Sequence, residues 1–251
     1  MIISEDTHPL WKPPQEDLLL TDDEVHVWRA ALDQPRARVR SLREVLAPEE
    51  QERAQRFYFE KDRDHFTVAH GVLRTILGLY LNLNPHQLHF RYSSHGKPYL
   101  REESNRNDLR FNLSHSHGLA LFAMTCGCEL GVDVERIRPD VAEDTIAERF
   151  FSAREVAMLR ALPVQLQAEA FFNCWSRKEA YIKARGEGLS LPLDKFDVSL
   201  APGEPATLLG TRIDSHELSR WSLVELAAGT GYAAALVVER RDSRFKYWQW
   251  L

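Results

Sequence analysis

Little in this chain of 251 residues belongs to the types that announce a special class of protein. Its three cysteines, Cys126, Cys128 and Cys174, are an odd count without metal-site spacing. That excludes a disulfide framework and a zinc site, and fits reduced thiols in a cytoplasmic protein. No apolar run approaches bilayer length, and the N-terminus lacks the basic, apolar, small-residue order of a leader, so neither secretion nor a membrane span is expected. Lys and Arg number 32 against 37 Asp and Glu, a formal charge of -5. Nucleic-acid binders usually carry a basic excess, which this chain lacks, so any anion must be met by a local cluster. No short-period repeat is visible. What the chain does have is an apolar fraction of 44%, enough for one large domain or two ordinary ones with a sizeable core.

The opening stretch, with Pro9, Pro13 and Pro14, reads as an extended arm laid over the body. Glu24 to Trp28 alternates like a half-buried strand, and a mostly helical stretch follows from about Arg36 to Leu83. In it Pro48-Glu49-Glu50-Gln51 suits a first helical turn, and Val68, Val72, Ile76 and Tyr80 keep the spacing of a buried stripe. A strand is expected over His89 to Tyr92, then two more over Leu119 to Cys126 and Glu129 to Arg136, joined as a hairpin at Gly127. A helical region begins near Ala142, and a capping box at Ser152 and Glu155 starts a new helix. After Pro163 another helix runs to Arg185 and stops at Gly186. Trp221 to Leu226 and Tyr232 to Glu239 read as a hairpin, and Trp248 and Trp250 as packing on the surface. The two halves share an order of helices and strands compatible with a duplicated α+β unit.

Several segments carry residues suited to phosphate chemistry. Arg53, Arg56, Lys61, Arg63 and Arg74 fall within the first helical stretch, as an anion site or as solvated surface. Lys97 sits between Gly96 and Pro98, on a loop whose backbone is stiff. Ser114 and His115 lie in a strand-to-turn segment; they suit hydrogen bonding to a phosphate or satisfaction of the turn's own backbone. Adjacent Ser and His do not make a catalytic pair by themselves, and His115 with His117 lacks the further ligands of a metal site. Strand alternation puts Asp133 and Glu135 on one face and Val132 and Val134 on the other. Two such carboxylates form a hard oxygen site suited to Mg²⁺. Trp175, Glu179 and Lys183, four apart, share a helix face. Together these supply cations for phosphates, a metal site, a base and an acid.

Five collinear segments resemble the 4′-phosphopantetheinyl transferases of the Sfp type. They are His95-Gly96-Lys97-Pro98, Phe111 through Ser116, Gly131-Val132-Asp133-Val134-Glu135, Arg149 through Ser152 with Glu155, and Trp175 through Lys183 continuing to Pro192. The resemblance covers roughly residues 48–198. It implies an α+β fold of two similar halves related by a pseudo-two-fold axis, here residues 1–126 and 127–251, with the active site in the cleft between them. It implies a cytoplasmic monomer that moves 4′-phosphopantetheine from coenzyme A to a serine of an acyl or peptidyl carrier protein, in fatty acid, polyketide or nonribosomal peptide synthesis, and releases 3′,5′-ADP.

Carried over by residue, the resemblance makes Asp133, Glu135 and Glu179 the Mg²⁺ ligands. Glu179 is also the general base and Lys183 the group that neutralises or protonates the departing phosphate. Lys97, Ser114 and His115 would hold the nucleotide end, with Arg53 and His115 near the 3′-phosphate. Glu50 lies where some members have lysine and His70 where some have arginine, which leaves Arg56, Arg63 and Arg74 as alternative phosphate contacts. The rival readings are a Mg²⁺-dependent hydrolase of coenzyme A and a non-catalytic module that binds carrier proteins.

Overall fold

The computed structural model describes residues 11–14, 18–105, 108–138 and 143–251; Pro9 and Ala142 lie outside the described residues. Strand β1 (Glu24–Ala31) leads into α1 (Arg36–Glu44), α2 (Pro48–Gln55) and the 22-residue α3 (Glu60–Leu81). Two short strands, β2 (Phe90–Tyr92) and β3 (Pro98–Leu100), precede the longer β4 (Leu109–Ser116) and β5 (Leu119–Cys126). The order then starts again. Strand β6 (Leu130–Arg136) leads into α4 (Glu143–Phe150), α5 (Ala153–Ala161) and another 22-residue helix, α6 (Val164–Arg185). Short strands β7 (Phe196–Val198) and β8 (Leu208–Thr211), the single turn α7 (Glu217–Arg220), and strands β9 (Ser222–Glu225) and β10 (Tyr232–Val238) complete the second pass. A last strand, β11 (Arg244–Gln249), follows.

The sheets repeat as the elements do. One has the order β11-β1-β5-β4 and the other β6-β10-β9, each built on a first strand that pairs antiparallel with the last of its own half. Strand β11 crosses back to pair parallel with β1. Helix α3 buries Val68, Val72 and Ile76 against the first sheet, and α6 lies on β6 and β10. Both long helices end in a left-handed residue, Asn82 (φ 50°) and Gly186 (φ 70°). The fold is mixed α+β, with a core on each helix-bearing face and a third between the sheets.

Two expectations are corrected. Strands β5 and β6 follow one another through Gly127 but do not form a hairpin. Strand β5 is held between β1 and β4, while β6 pairs with β10 in the other sheet. The hairpin is instead β4-β5, where His117 (φ 44°) and Gly118 (φ 88°) supply the two positive φ values of a tight two-residue turn. Trp248 does not cover the surface: it is 5% exposed and packs on Trp28 within the first core. The parallel pairing of β11 with β1 carries it inward. Of the N-terminal arm, the described residues 11–14 touch the body, with Trp11 donating to the Ala227 carbonyl at 2.9 Å and Lys12 bridging Trp248.

Candidate active site

Helix α6 lies directly on β6 because Gly131 has no side chain. A Cβ there would stand 2.2 Å from the Ala180 carbonyl oxygen and 2.3 Å from the Ala184 nitrogen. With the backbones that close, the strand face carrying Asp133 and Glu135 meets the helix face carrying Glu179 and Lys183. Val132 and Val134 point the other way, into the core between the sheets. On the helix, Trp175 is fixed by Phe150, Phe151 and Phe171, so the face starts from a packed aromatic base.

Asp133 is 3% exposed. Its Oδ1 accepts from the Ser114 hydroxyl at 2.8 Å and from the Lys183 ammonium at 2.7 Å, whereas its buried Oδ2 has no hydrogen-bond partner among the described residues. Lys183 also donates to the Ser114 hydroxyl at 3.0 Å and the Val132 carbonyl at 3.3 Å. Glu135 accepts from the Ser116 hydroxyl at 3.0 Å. Burial, then the charges of Asp133 and Glu135, push the Glu179 carboxyl up to about 7, against the pull of Lys183. Burial and Asp133 raise Glu135 in the same sense. Three carboxylates thus share a region with a single ammonium, and each makes ionisation of the others costlier. Among the described residues no three His, Cys, Asp or Glu side chains stand grouped as ligands of one ion, Lys183 itself occupying Asp133 Oδ1.

The remaining expected residues fall in two places. Lys97 is buried, and its ammonium donates to Glu129 Oε2 at 2.6 Å and to the Leu130 and Ala184 carbonyls at 3.1 Å each. All three donors are spent, so Lys97 ties its loop to the start of β6 and the end of α6. Arg53 stacks over Phe66 on a groove of about 720 Å³ that Arg56, His70 and Tyr92 also line. His115 stands open to solvent at one edge. Desolvation of its ring, and then neighbours that include the Lys183 ammonium and the Arg53 guanidinium, hold it below the usual imidazole range. Arg74 is turned away into the protein, bonded to Glu50 Oε2 at 2.5 Å and to the Pro85 and Leu88 carbonyls.

Sequence reading missed Asn112 and Ser116. Asn112 Oδ1 accepts from the Val132 N–H at 2.9 Å, and Ser116 binds both Glu135 and the Arg136 N–H. The signal was the polar residue at every second position of Asn112-Leu113-Ser114-His115-Ser116, the period of one strand face.

Comparison with known proteins gives matches along the chain. A family model described as the 4′-phosphopantetheinyl transferase superfamily matches residues 129–237, and one described as 4′-phosphopantetheinyl transferase, N-terminal, matches residues 28–127. The chain is 40% identical over 240 residues to the 4′-phosphopantetheinyl transferase HetI of Nostoc sp., covering 96% of this chain and 98% of that one. It is 34% identical over 155 residues to the 4′-phosphopantetheinyl transferase Sfp of Bacillus subtilis, covering 62% and 66%. It is 25% identical over 210 residues to the human L-aminoadipate-semialdehyde dehydrogenase-phosphopantetheinyl transferase, covering 78% and 68%.

Proposed function

The chain belongs to the 4′-phosphopantetheinyl transferase family, and from that premise we infer that it transfers the 4′-phosphopantetheine moiety of coenzyme A to a serine of an acyl or peptidyl carrier protein. The serine oxygen forms a bond to the phosphorus that carries the pantetheine arm. The pyrophosphate bridge breaks, and 3′,5′-ADP leaves with the electron pair. We take Glu179, directly or through a water, as the base for the serine proton; in the ion-free protein its carboxyl is pushed up to about 7. Lys183 would neutralise or protonate the departing phosphate.

The observation that carries the metal assignment is the partnerless Oδ2 of buried Asp133, beside two further acids whose ionisation is opposed. A buried carboxylate oxygen of this kind needs a cation or a donor. Asp133, Glu135 and Glu179 would hold Mg²⁺, which suits a few protein carboxylates completed by substrate phosphate oxygens. The ion would supply positive charge at the pyrophosphate. The nucleotide end of coenzyme A would lie against Arg53 and His115, with the Ser114 hydroxyl beside it. A contact from Lys97 would require exchange of one of its three internal bonds.

In the same reading residues 1–126 and 127–251 form the two halves, with β11 lent across to the first. One chain supplies both walls of the site, which favours action as a monomer. Its three cysteines are free, as is the rule in a reducing cytoplasm. The test is mass spectrometry of a panel of apo carrier proteins incubated with the protein, coenzyme A and Mg²⁺. Gain of one phosphopantetheinyl group on any of them supports the reading, and no gain on all of them rejects it.

A further inference from the structure

Among the described residues strand β6 has a strand neighbour on one side only, β10. Its other edge faces β4 of the first sheet, and there side chains, not backbone, complete it. Asn112 Oδ1 takes the Val132 N–H at 2.9 Å, the Ser114 hydroxyl donates to Asp133 Oδ1 at 2.8 Å, and the Ser116 hydroxyl donates to Glu135 Oε2 at 3.0 Å. Ser116 Oγ also accepts the Arg136 N–H at 3.2 Å. The three residues alternate along β4 and so share one face. Ser114 and Asp133 are 19 residues apart, as are Ser116 and Glu135, so the two strands run in the same sense with one register. Two hydroxyls two residues apart thus meet two carboxylates two residues apart.

We propose that Ser116 is a positioning residue for the transfer reaction, holding the Glu135 carboxylate in its working orientation, with Asn112 setting the register of the two strands. The proposal rests on the reading of Glu135 as a Mg²⁺ ligand. A half-buried glutamate has several rotamers, and a ligand that must first be ordered binds its ion more weakly. Ser116 restricts that freedom: its oxygen takes the Arg136 N–H at 3.2 Å and its hydroxyl donates to Glu135 Oε2 at 3.0 Å, a shorter contact than the 3.3 Å to His117 Nδ1. Ser114 differs: it is tied to Lys183 and lies next to the proposed nucleotide contact, whereas Ser116 binds Glu135 and the Arg136 N–H, with the His117 Nδ1 of its own turn at 3.3 Å. The first half of the chain therefore builds the orientation of acids that the second half carries. Outer partners of this kind tune metal affinity without touching the metal.

The test compares S116A and S116T with the unaltered protein. Three quantities are read: hydrogen exchange of the Arg136 amide, Mg²⁺ affinity by calorimetry, and the Mg²⁺ concentration giving half-maximal transfer. The proposal expects S116A to speed exchange at Arg136, weaken Mg²⁺ roughly tenfold or more, and shift the half-maximal Mg²⁺ upward with kcat recovered at saturating Mg²⁺. S116T, which keeps the hydroxyl, restores all three. Should the alanine variant fail to fold, S116C keeps the size, loses the strong donor and reads the same quantities. Unaltered Mg²⁺ affinity in a folded S116A or S116C, or failure of S116T to rescue, overturns the proposal. If the unaltered protein binds no Mg²⁺, the metal reading itself falls; the Arg136 amide then still tests the seam, and unchanged exchange there rejects it separately.

Discussion

Glu50 and Glu155, 105 positions apart, do the same work in the two halves. Each accepts the backbone N–H three residues before it, Ala47 or Ser152, at 2.9 Å. Each also pairs with a cation at the fifteenth residue of a 22-residue helix, Arg74 at 2.5 Å and Lys178 at 2.8 Å. Those cations in turn bind two carbonyls of the segment after the helix, Pro85 and Leu88 in one half and Leu193 and Phe196 in the other. At the positions matching Glu179 and Lys183 on α6, helix α3 carries Thr75 and Leu79. The scaffold is repeated and the chemistry is not.

Removing one member of a buried pair leaves the other charged and alone. Glu155 and Lys178 are both fully buried, so Lys178→Ala costs about 3–5 kcal/mol. A thermal melt is expected to drop by about 10 °C. The matched exposed change Arg36→Ala, which breaks a surface pair with Glu60, moves it by about 2 °C or less.

Gly131→Ala inserts a methyl group into the backbone of α6 and must push the helix off β6. The account expects loss of transfer together with lowered stability, about 2 kcal/mol or more, because the closed contact is what brings Glu179 to Asp133. A melt and a transfer assay on the same sample check both.

Glu179 binds its proton more tightly folded than unfolded, its carboxyl lying near 7 against an ordinary 4.5. The folded state therefore holds the extra proton between those values, and stability falls as pH rises from about 4.5 through 7. Glu179→Gln removes that loss. Without Mg²⁺ the variant is expected to melt a few degrees higher than the unaltered protein at pH 8, with the difference gone near pH 4.5. A difference that does not change with pH counts against the burial described for this side chain.

Asp133→Asn keeps the shape and one acceptor but removes the charge at the buried Oδ2. Transfer is expected to fall by a factor of about 10³, with the fold intact by circular dichroism. Mg²⁺ binding measured by calorimetry is expected to be lost alongside. Turnover within tenfold of the unaltered protein removes Asp133 from the metal assignment.

The elements that a local rule specifies were legible. The α6 stop at Gly186, the capping box of Ser152 and Glu155, and the two faces of β6 each follow from a few adjacent residues. Pairing was less so, since β5 and β6 are contiguous strands whose partners, β1 and β10, lie 88 or more positions away at their nearest registered residues. No local signal chooses between such a partner and the neighbour in sequence. Lys97 illustrates a further limit: a lysine on a stiff loop reads as a phosphate grip, yet its partners, Glu129 and the Leu130 and Ala184 carbonyls, appear only once the halves are packed. Asn112 and Ser116 were hidden for the opposite reason, because polar alternation on a strand reads as a solvated face until the second sheet is set against it.

The most direct measurement is the stoichiometry of nucleotide release. With coenzyme A, Mg²⁺ and an apo carrier protein, the account predicts one 3′,5′-ADP for each serine modified, none when the carrier or Mg²⁺ is withheld, and none from Asp133→Asn. Sustained release of 3′,5′-ADP in the absence of any carrier protein would identify a hydrolase and contradict the account.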